Sequence, residues 1–182
     1  ICALIAGTFG ILVGYGVAKK RGSRLANYVS NLAFLPYLIP AMSFATIYLI
    51  MSYTKALSFL NGSLLLLIVV GSIKFLPFAS KSGTNAMLQL SNEIEEAAII
   101  VGVPWWKRMV RVLFPIQKSS FISGYLLPFV SCMRELTLFV LLTGSSTILT
   151  AVLQNYEKYD CVQISNGINL IIIVSVLVIN LV

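Results

Sequence analysis

The chain has 182 residues, 58% of them hydrophobic and only 10% charged, against about 25% charged in an ordinary soluble domain. Its 13 basic and 6 acidic residues give a net charge of +7, the mean hydropathy is +0.93, and there is no histidine. Disorder, a nucleic-acid-binding module and a secreted disulfide scaffold are poor fits, and a His-based metal site or Ser-His triad is excluded; the solvent such a chain calls for is lipid.

The first apolar segment runs from Ile1 to Ala18, with Gly7, Gly10 and Gly14 on roughly one helix face, where small residues let helices approach closely. The cluster KKRGSR, residues 19–24, follows and marks a cytoplasmic loop. A second segment, Tyr28 to Met51, is interrupted by Pro36 and Pro40. Two readings stand side by side here: a simple bend in the helix, or a discontinuity that opens a translocation path. The third segment, Leu57 to Ala79, carries Lys74 near its inner end, where a lysine is expected to snorkel. Residues 80–118 form a polar centre with Glu93, Glu95 and Glu96, and Met87, Leu90, Ile94, Ala97 and Val101 recur at helical spacing within it. Gly102 ends that pattern, and Pro104 suits the first turn of another helix.

Trp105 and Trp106, beside Lys107 and Arg108, are expected to be interfacial anchors, direct contact with a partner being the alternative. The fourth segment, Phe121 to Leu142, includes Arg134 and Glu135, for which a pathway or gating role competes with interhelical pairing. An outer loop at 144–160 leads to the fifth segment, Val162 to Val182. Five crossings place the basic loops 19–24 and 80–118 on one side, with Lys55, Glu157, Lys158 and Asp160 on the other. Both ends fall inside apolar runs, so residues 1–182 read as a piece of a longer membrane protein. Cys2, Cys132 and Cys161 form no metal-spaced pair, and no catalytic, metal or nucleotide-binding arrangement is present.

The central loop has one further pattern: Glu96-Ala97-Ala98, three residues, Gly102, nine residues, then Val112, Leu113, Phe114 and Pro115. This resembles the EAA loop of permease subunits in binding-protein-dependent ABC importers, with Val112 and Phe114 as conservative departures. FLPYLIP is similar to that family's second core helix, and KFLPFA, residues 74–79, to the place where its third core helix leaves the membrane. The resemblance implies an all-α, polytopic inner-membrane protein: a five-helix permease core of the methionine-permease type, with a cytoplasmic coupling-helix loop at 80–118.

Carried over, Glu96, Ala97, Ala98 and Gly102 are the docking and turn residues for a separate ATPase subunit, and Pro115 closes the motif. For the glutamates taken alone, a solvated loop face is the competing reading. ATP and Mg are expected on that ATPase, with no cofactor on this chain. The other implied partners are an extracytoplasmic solute-binding protein, a second permease core (fused or separate) and the bilayer, with no nucleic acid. The stretch RELTLFVLL, residues 134–142, looks like ferric iron permeases and, more loosely, those for sulfate, thiamine and polyamines. An ion-gradient-driven secondary transporter is the rival class, with Glu135 as its clear candidate carboxylate.

Overall fold

The computed structural model describes residues 1–143 and 149–180. Within them the chain is helical throughout: α1 (Cys2–Lys19), α2 (Arg24–Leu38), α3 (Ala41–Ser52), α4 (Leu64–Leu88), α5 (Asn92–Ile100), α6 (Trp105–Arg108), α7 (Phe114–Ile116), α8 (Lys118–Arg134), α9 (Thr137–Thr143), α10 (Leu149–Lys158) and α11 (Val162–Asn180). A π-helical turn, Met109–Leu113, joins α6 to α7. The start of the expected outer loop, residues 144–148, and the end of the fifth segment, residues 181–182, lie outside the described residues.

Among the described residues three single helices, α1, α4 and α11, are long and apolar enough to cross a membrane. The second expected crossing is not one rod. It divides into α2 and α3, which meet at a bend of 101°. Two prolines cause the break. Pro36 has no amide proton for the preceding turn, and Pro40 has none for the carbonyl of Pro36, so the helix ends at Leu38 and Pro40 caps a new one. The fourth segment is likewise split, since α8 ends at Arg134 and Glu135 adopts an extended ψ of 113° before α9 begins.

The third segment also differs from expectation at both ends. Residues Ser58–Leu60 form a short 3-10 turn, and α4 starts only at Leu64. It then runs past Ala79 to Leu88, so residues 80–88 extend the crossing helix rather than a loop. Pro77 does not end it, because a proline in a packed membrane helix loses one backbone bond that its neighbours can compensate.

At the centre of the bundle, α1 lies against α4 along a seam of small residues. A side-chain carbon added at Gly14 would sit 2.5 Å from the Ser80 carbonyl oxygen and 2.6 Å from the Thr84 amide nitrogen, and one at Gly83 would sit 2.8 Å from the Ile11 α-carbon. Gly10 faces Ala79 and Ser80 in the same seam, whereas Gly7 faces the Tyr125 ring of α8. In lipid, such backbone-to-backbone approach replaces the hydrophobic drive that holds soluble helices together. One half of the core gathers Phe44, Leu66, Val70, Phe75, Leu138 and Phe139; the other, on the side of α5–α7, gathers Ile11, Met87, Met109, Leu113 and Phe121. Helix α11 packs against α8 and α10 and turns Leu170, Ile173, Leu177 and Val178 outward.

The seam makes a prediction. Gly14→Leu should lower the unfolding free energy of the purified protein in detergent by about 2 kcal/mol or more, because the backbone of α4 cannot yield to it. Gly16→Ala, at a position open to space, should leave the thermal midpoint unchanged or slightly raised.

Candidate functional site

Among the described residues, polar chemistry gathers chiefly in the short helix α5, beyond the ends of α1 and α4, and in a groove between α2, α4 and α8. Helix α5 is a new helix, not a continuation of α4. Ser91 caps it by accepting a hydrogen bond from the Glu93 amide at 3.3 Å, and Glu93 and Glu95 in its first turn favour the positive end of its dipole. That restart resets the helical phase, so the apolar stripe expected from Met87 to Val101 does not face inward as one surface. Ala97 and Val101 are exposed, and Ile100 is 85% exposed.

The helix stops at Gly102 in a two-bond cap. The Gly102 amide donates to the Ile99 carbonyl at 2.8 Å, and the Val103 amide donates to the Ala98 carbonyl at 3.0 Å. This cap needs a left-handed residue, and Gly102 supplies it at φ +78°. Glu96, Ala97, Ile99, Ile100, Val101 and Gly102 therefore form an exposed end, with Ala98 half-buried behind them. Pro115 is exposed in α7, beyond the π turn.

The glutamate that faces inward is Glu95, which the motif does not single out. Only 4% of it is exposed. Its Oε1 accepts a hydrogen bond from the Tyr15 hydroxyl at 2.6 Å, and its Oε2 pairs with Lys19 Nζ at 2.6 Å, both from the last turns of α1. Arg108 of α6 brings its Nε to 3.7 Å of Oε1 and donates from Nη1 to the Val103 carbonyl at 3.1 Å. Burial alone would raise the Glu95 pKa. The Lys19 and Tyr15 hydrogen bonds and the Lys19 and Arg108 charges outweigh it and hold the carboxyl below its usual range.

Trp105 packs edge-on against Tyr15 at 6.1 Å, so it braces this cluster; Trp106, tilted against it at 5.0 Å, is 65% exposed. Three acids within four residues, Glu93, Glu95 and Glu96, gave no local sign of which one turns inward. The signal lay elsewhere, in Tyr15 and Lys19 one turn apart at the end of an apolar helix.

The groove begins at the α2–α3 break. Lys74 does not snorkel. Its Nζ donates to the carbonyls of Pro36 at 2.8 Å and Ile39 at 2.5 Å, the groups set free where the helix is interrupted, and lies 5.2 Å from the Phe44 ring centroid. Glu135 sits across the same cleft of about 570 Å³, together with Tyr37, Pro40 and Ser131. Its Oε1 accepts from the Leu138 amide at 3.3 Å, capping α9 at the second helix break. Pro36 is buried within α2.

Arg134 goes elsewhere, into a cavity with Leu153, Asn169 and Val176 on the α10–α11 side, so Arg134 and Glu135 do not share a site. Tyr37 and Phe78, edge-on at 5.7 Å, separate the outer cleft from an inner one of about 460 Å³ that holds Lys81, Ser82, Asn85, Gln89, Ser120 and Ser123. Along α4 and its C-terminal cap, Lys74, Phe78, Lys81, Asn85 and Gln89 follow three- and four-residue steps, a continuous face of about 22 Å. That periodicity was present in the sequence, hidden by its spread across the expected end of the third segment.

Comparison with known proteins shows the family and the fold. The family model described as "Binding-protein-dependent transport system inner membrane component" matches residues 8–182. Among curated relatives, the putative ferric transport system permease protein FbpB 1 of Haemophilus influenzae is 22% identical over 81% of this chain and 23% of its own length. The phosphate transport system permease protein PstA 1 of Mycobacterium tuberculosis is 27% identical over 80% of this chain and 47% of its own. A probable sulfate transport system permease protein cysT of Chlorokybus atmophyticus is 25% identical over 86% and 59%. The chain thus spans between about a quarter and three fifths of these relatives. A solved structure of the MetNI methionine ABC transporter, facing inward, superposes with a TM-score of 0.68 at 17% identity, over 99% of this chain and 87% of that one. The expected permease-core fold is therefore the observed one.

Two outcomes follow from this geometry. Lys74→Met leaves two carbonyls without donors and should cost about 3 kcal/mol of stability in detergent, with faster hydrogen exchange at residues 38–44. Because the folded pKa of Glu95 is depressed, its link should hold fully above the unfolded glutamate value of about 4.3 and be lost as pH falls through the lower folded value. Protease access to residues 89–104 against pH reads this directly.

Proposed function

The chain belongs to the family of binding-protein-dependent transport inner membrane components, and on that premise we propose that it is the permease core that an ATPase drives through α5. Membership makes it a multi-pass inner-membrane transport subunit rather than an enzyme. The observation that carries the coupling role is the exposed end of α5. A helix of 9 residues stands clear of the crossings, presents Glu96, Ala97, Ile100 and Val101 outward, and turns back at Gly102. Small and apolar residues at a rigid elbow suit a groove on a partner, and Glu96 offers that partner one charge.

The two clefts along α4 are then one wall of the path. A 22 Å face with two lysines, an asparagine and serines is not a surface that hydrocarbon covers at low cost, whereas a second core facing it encloses water and cargo. The Tyr37–Phe78 pair is the narrow point between the clefts. Glu135 already caps α9 and faces Lys74, which leaves it poorly suited to the ion-coupling duty a secondary transporter requires.

For the cargo, the stretch at 134–142 and the relatives named for ferric transport support ferric iron. A second reading, a tetrahedral oxyanion, is favoured by Lys81 on the groove wall. Among the described residues no carboxylate lies within 4 Å of Lys81, whose amine rests 5.4 Å from the Phe34 ring centroid.

The test uses the full-length permease reconstituted with its ATPase and binding protein. Glu96→Lys and Gly102→Arg should insert normally yet abolish co-purification of the ATPase. Wild-type complex yield in both variants would sink the coupling role. Uptake of labelled ferric iron, sulfate and phosphate by the same vesicles separates the cargo readings: uptake of iron alone removes the oxyanion, and uptake of an oxyanion alone removes iron.

A further inference from the structure

Helix α5 is attached to the rest of the protein in an unusual way. Its backbone comes close to the other helices at few points, and its C-terminal apolar residues, Ile99, Ile100 and Val101, point away from them. What fastens it is one buried side chain. Glu95 accepts from Tyr15, pairs with Lys19 and faces Arg108, and Lys19 Nζ also donates to Asn92 Oδ1 at 3.4 Å from the start of the same helix. Glu96, the next residue, points outward with no such partner among the described residues. Two neighbouring carboxylates thus occupy opposite sides of one short helix.

The far end of that fastening is stiff. Tyr15 and Lys19 belong to α1, and α1 meets α4 through Gly10, Gly14 and Gly83 at backbone contact. Thr84 adds a hydrogen bond from its hydroxyl to the Gly14 carbonyl at 3.5 Å. Beyond the seam, the opposite face of α4 carries Lys74, Phe78 and Lys81, which line the groove. A displacement applied to α5 reaches the groove wall through one polar link and one close-packed seam.

We infer that Glu95 is a positioning residue that transmits movement of α5 to α1, and through the α1–α4 seam to the groove, while Glu96 and its neighbours serve only to engage the partner. The inference rests on the proposed coupling role of α5 and assigns engagement and transmission to separate residues. A buried pair of this kind suits the task because removing one partner leaves the others uncompensated, so the link is either made or broken.

The experiment uses the full-length permease with its ATPase and binding protein in proteoliposomes. Glu95→Gln keeps the outward face of α5, so the ATPase subunits should co-purify at the wild-type ratio, while stimulation of ATP hydrolysis by loaded binding protein should fall about tenfold, and uptake with it. The charge exchange Lys19→Glu with Glu95→Lys should recover part of that stimulation, where each single change does not. Should Glu95→Gln fail to assemble, Tyr15→Phe and Lys19→Gln carry the same test with the sequence of α5 untouched.

Retention of stimulated hydrolysis within about twofold in Glu95→Gln would overturn the inference. So would loss of the ATPase subunits from Tyr15→Phe and Lys19→Gln, since the cluster would then serve engagement. Failure of the underlying coupling role looks different: wild-type permease itself would not bind the ATPase.

Discussion

A carbonyl freed inside a membrane has no water to turn to, and the architecture of this protein is arranged around that constraint. Pro36 and Pro40 interrupt the second crossing and release backbone oxygens where α2 ends. Lys74 meets two of them from α4. The cost of burying an ammonium is offset because its proton donors are used on dipoles that would otherwise stand alone. The 101° turn between α2 and α3 can persist because of this reach across the bundle, and the turn opens the outer cleft. Glu135 performs the converse service at the second break, accepting from the first turn of α9. A cation serves freed acceptors and an anion serves freed donors, one on each side of the same cleft.

Stiffness is distributed unevenly around that cleft. The α1–α4 seam brings backbones together with only small side chains such as Ala79 and Thr84 between them, so its two helices have little room to slide. By contrast α11 shares few buried residues with the rest, and α5 hangs from a single carboxylate cluster. A bundle built this way is packed most closely at its centre, between α1 and α4, and more loosely at its margins.

Much of this was legible in the sequence. Composition alone pointed to lipid, and the spacing from Glu96 to Pro115 pointed to the family and to the elbow at Gly102. The glycine face of α1 was visible too, although Gly7 turned out to serve α8 rather than α4. What stayed hidden were contacts between residues far apart in the chain. Lys74 looked like a snorkelling lysine because its partners, 35 and 38 residues earlier, are backbone oxygens with no signature of their own. Glu95 looked interchangeable with Glu93 and Glu96 until Tyr15 and Lys19 arrived from 80 and 76 residues away. Prolines announced that a helix would be disturbed, but not by how much, since the angle depends on what compensates the broken bonds. Arg134 and Glu135, adjacent in sequence, part company because the helix ends between them.

The π-helical turn at Met109–Leu113 adds a consequence for the motif itself. One extra residue in a turn rotates everything beyond it by about 100° about the helix axis. The nine residues between Gly102 and Val112 are therefore a phase as well as a length. They set which way Phe114 points, and it lies stacked at 5.5 Å on Phe121 at the start of the fourth segment. A deletion that relaxed the turn to ordinary α-helix would shorten the loop by very little, yet turn that ring from its partner and leave α8 facing a different neighbour. The spacing of the motif is thus an angular specification written in residues.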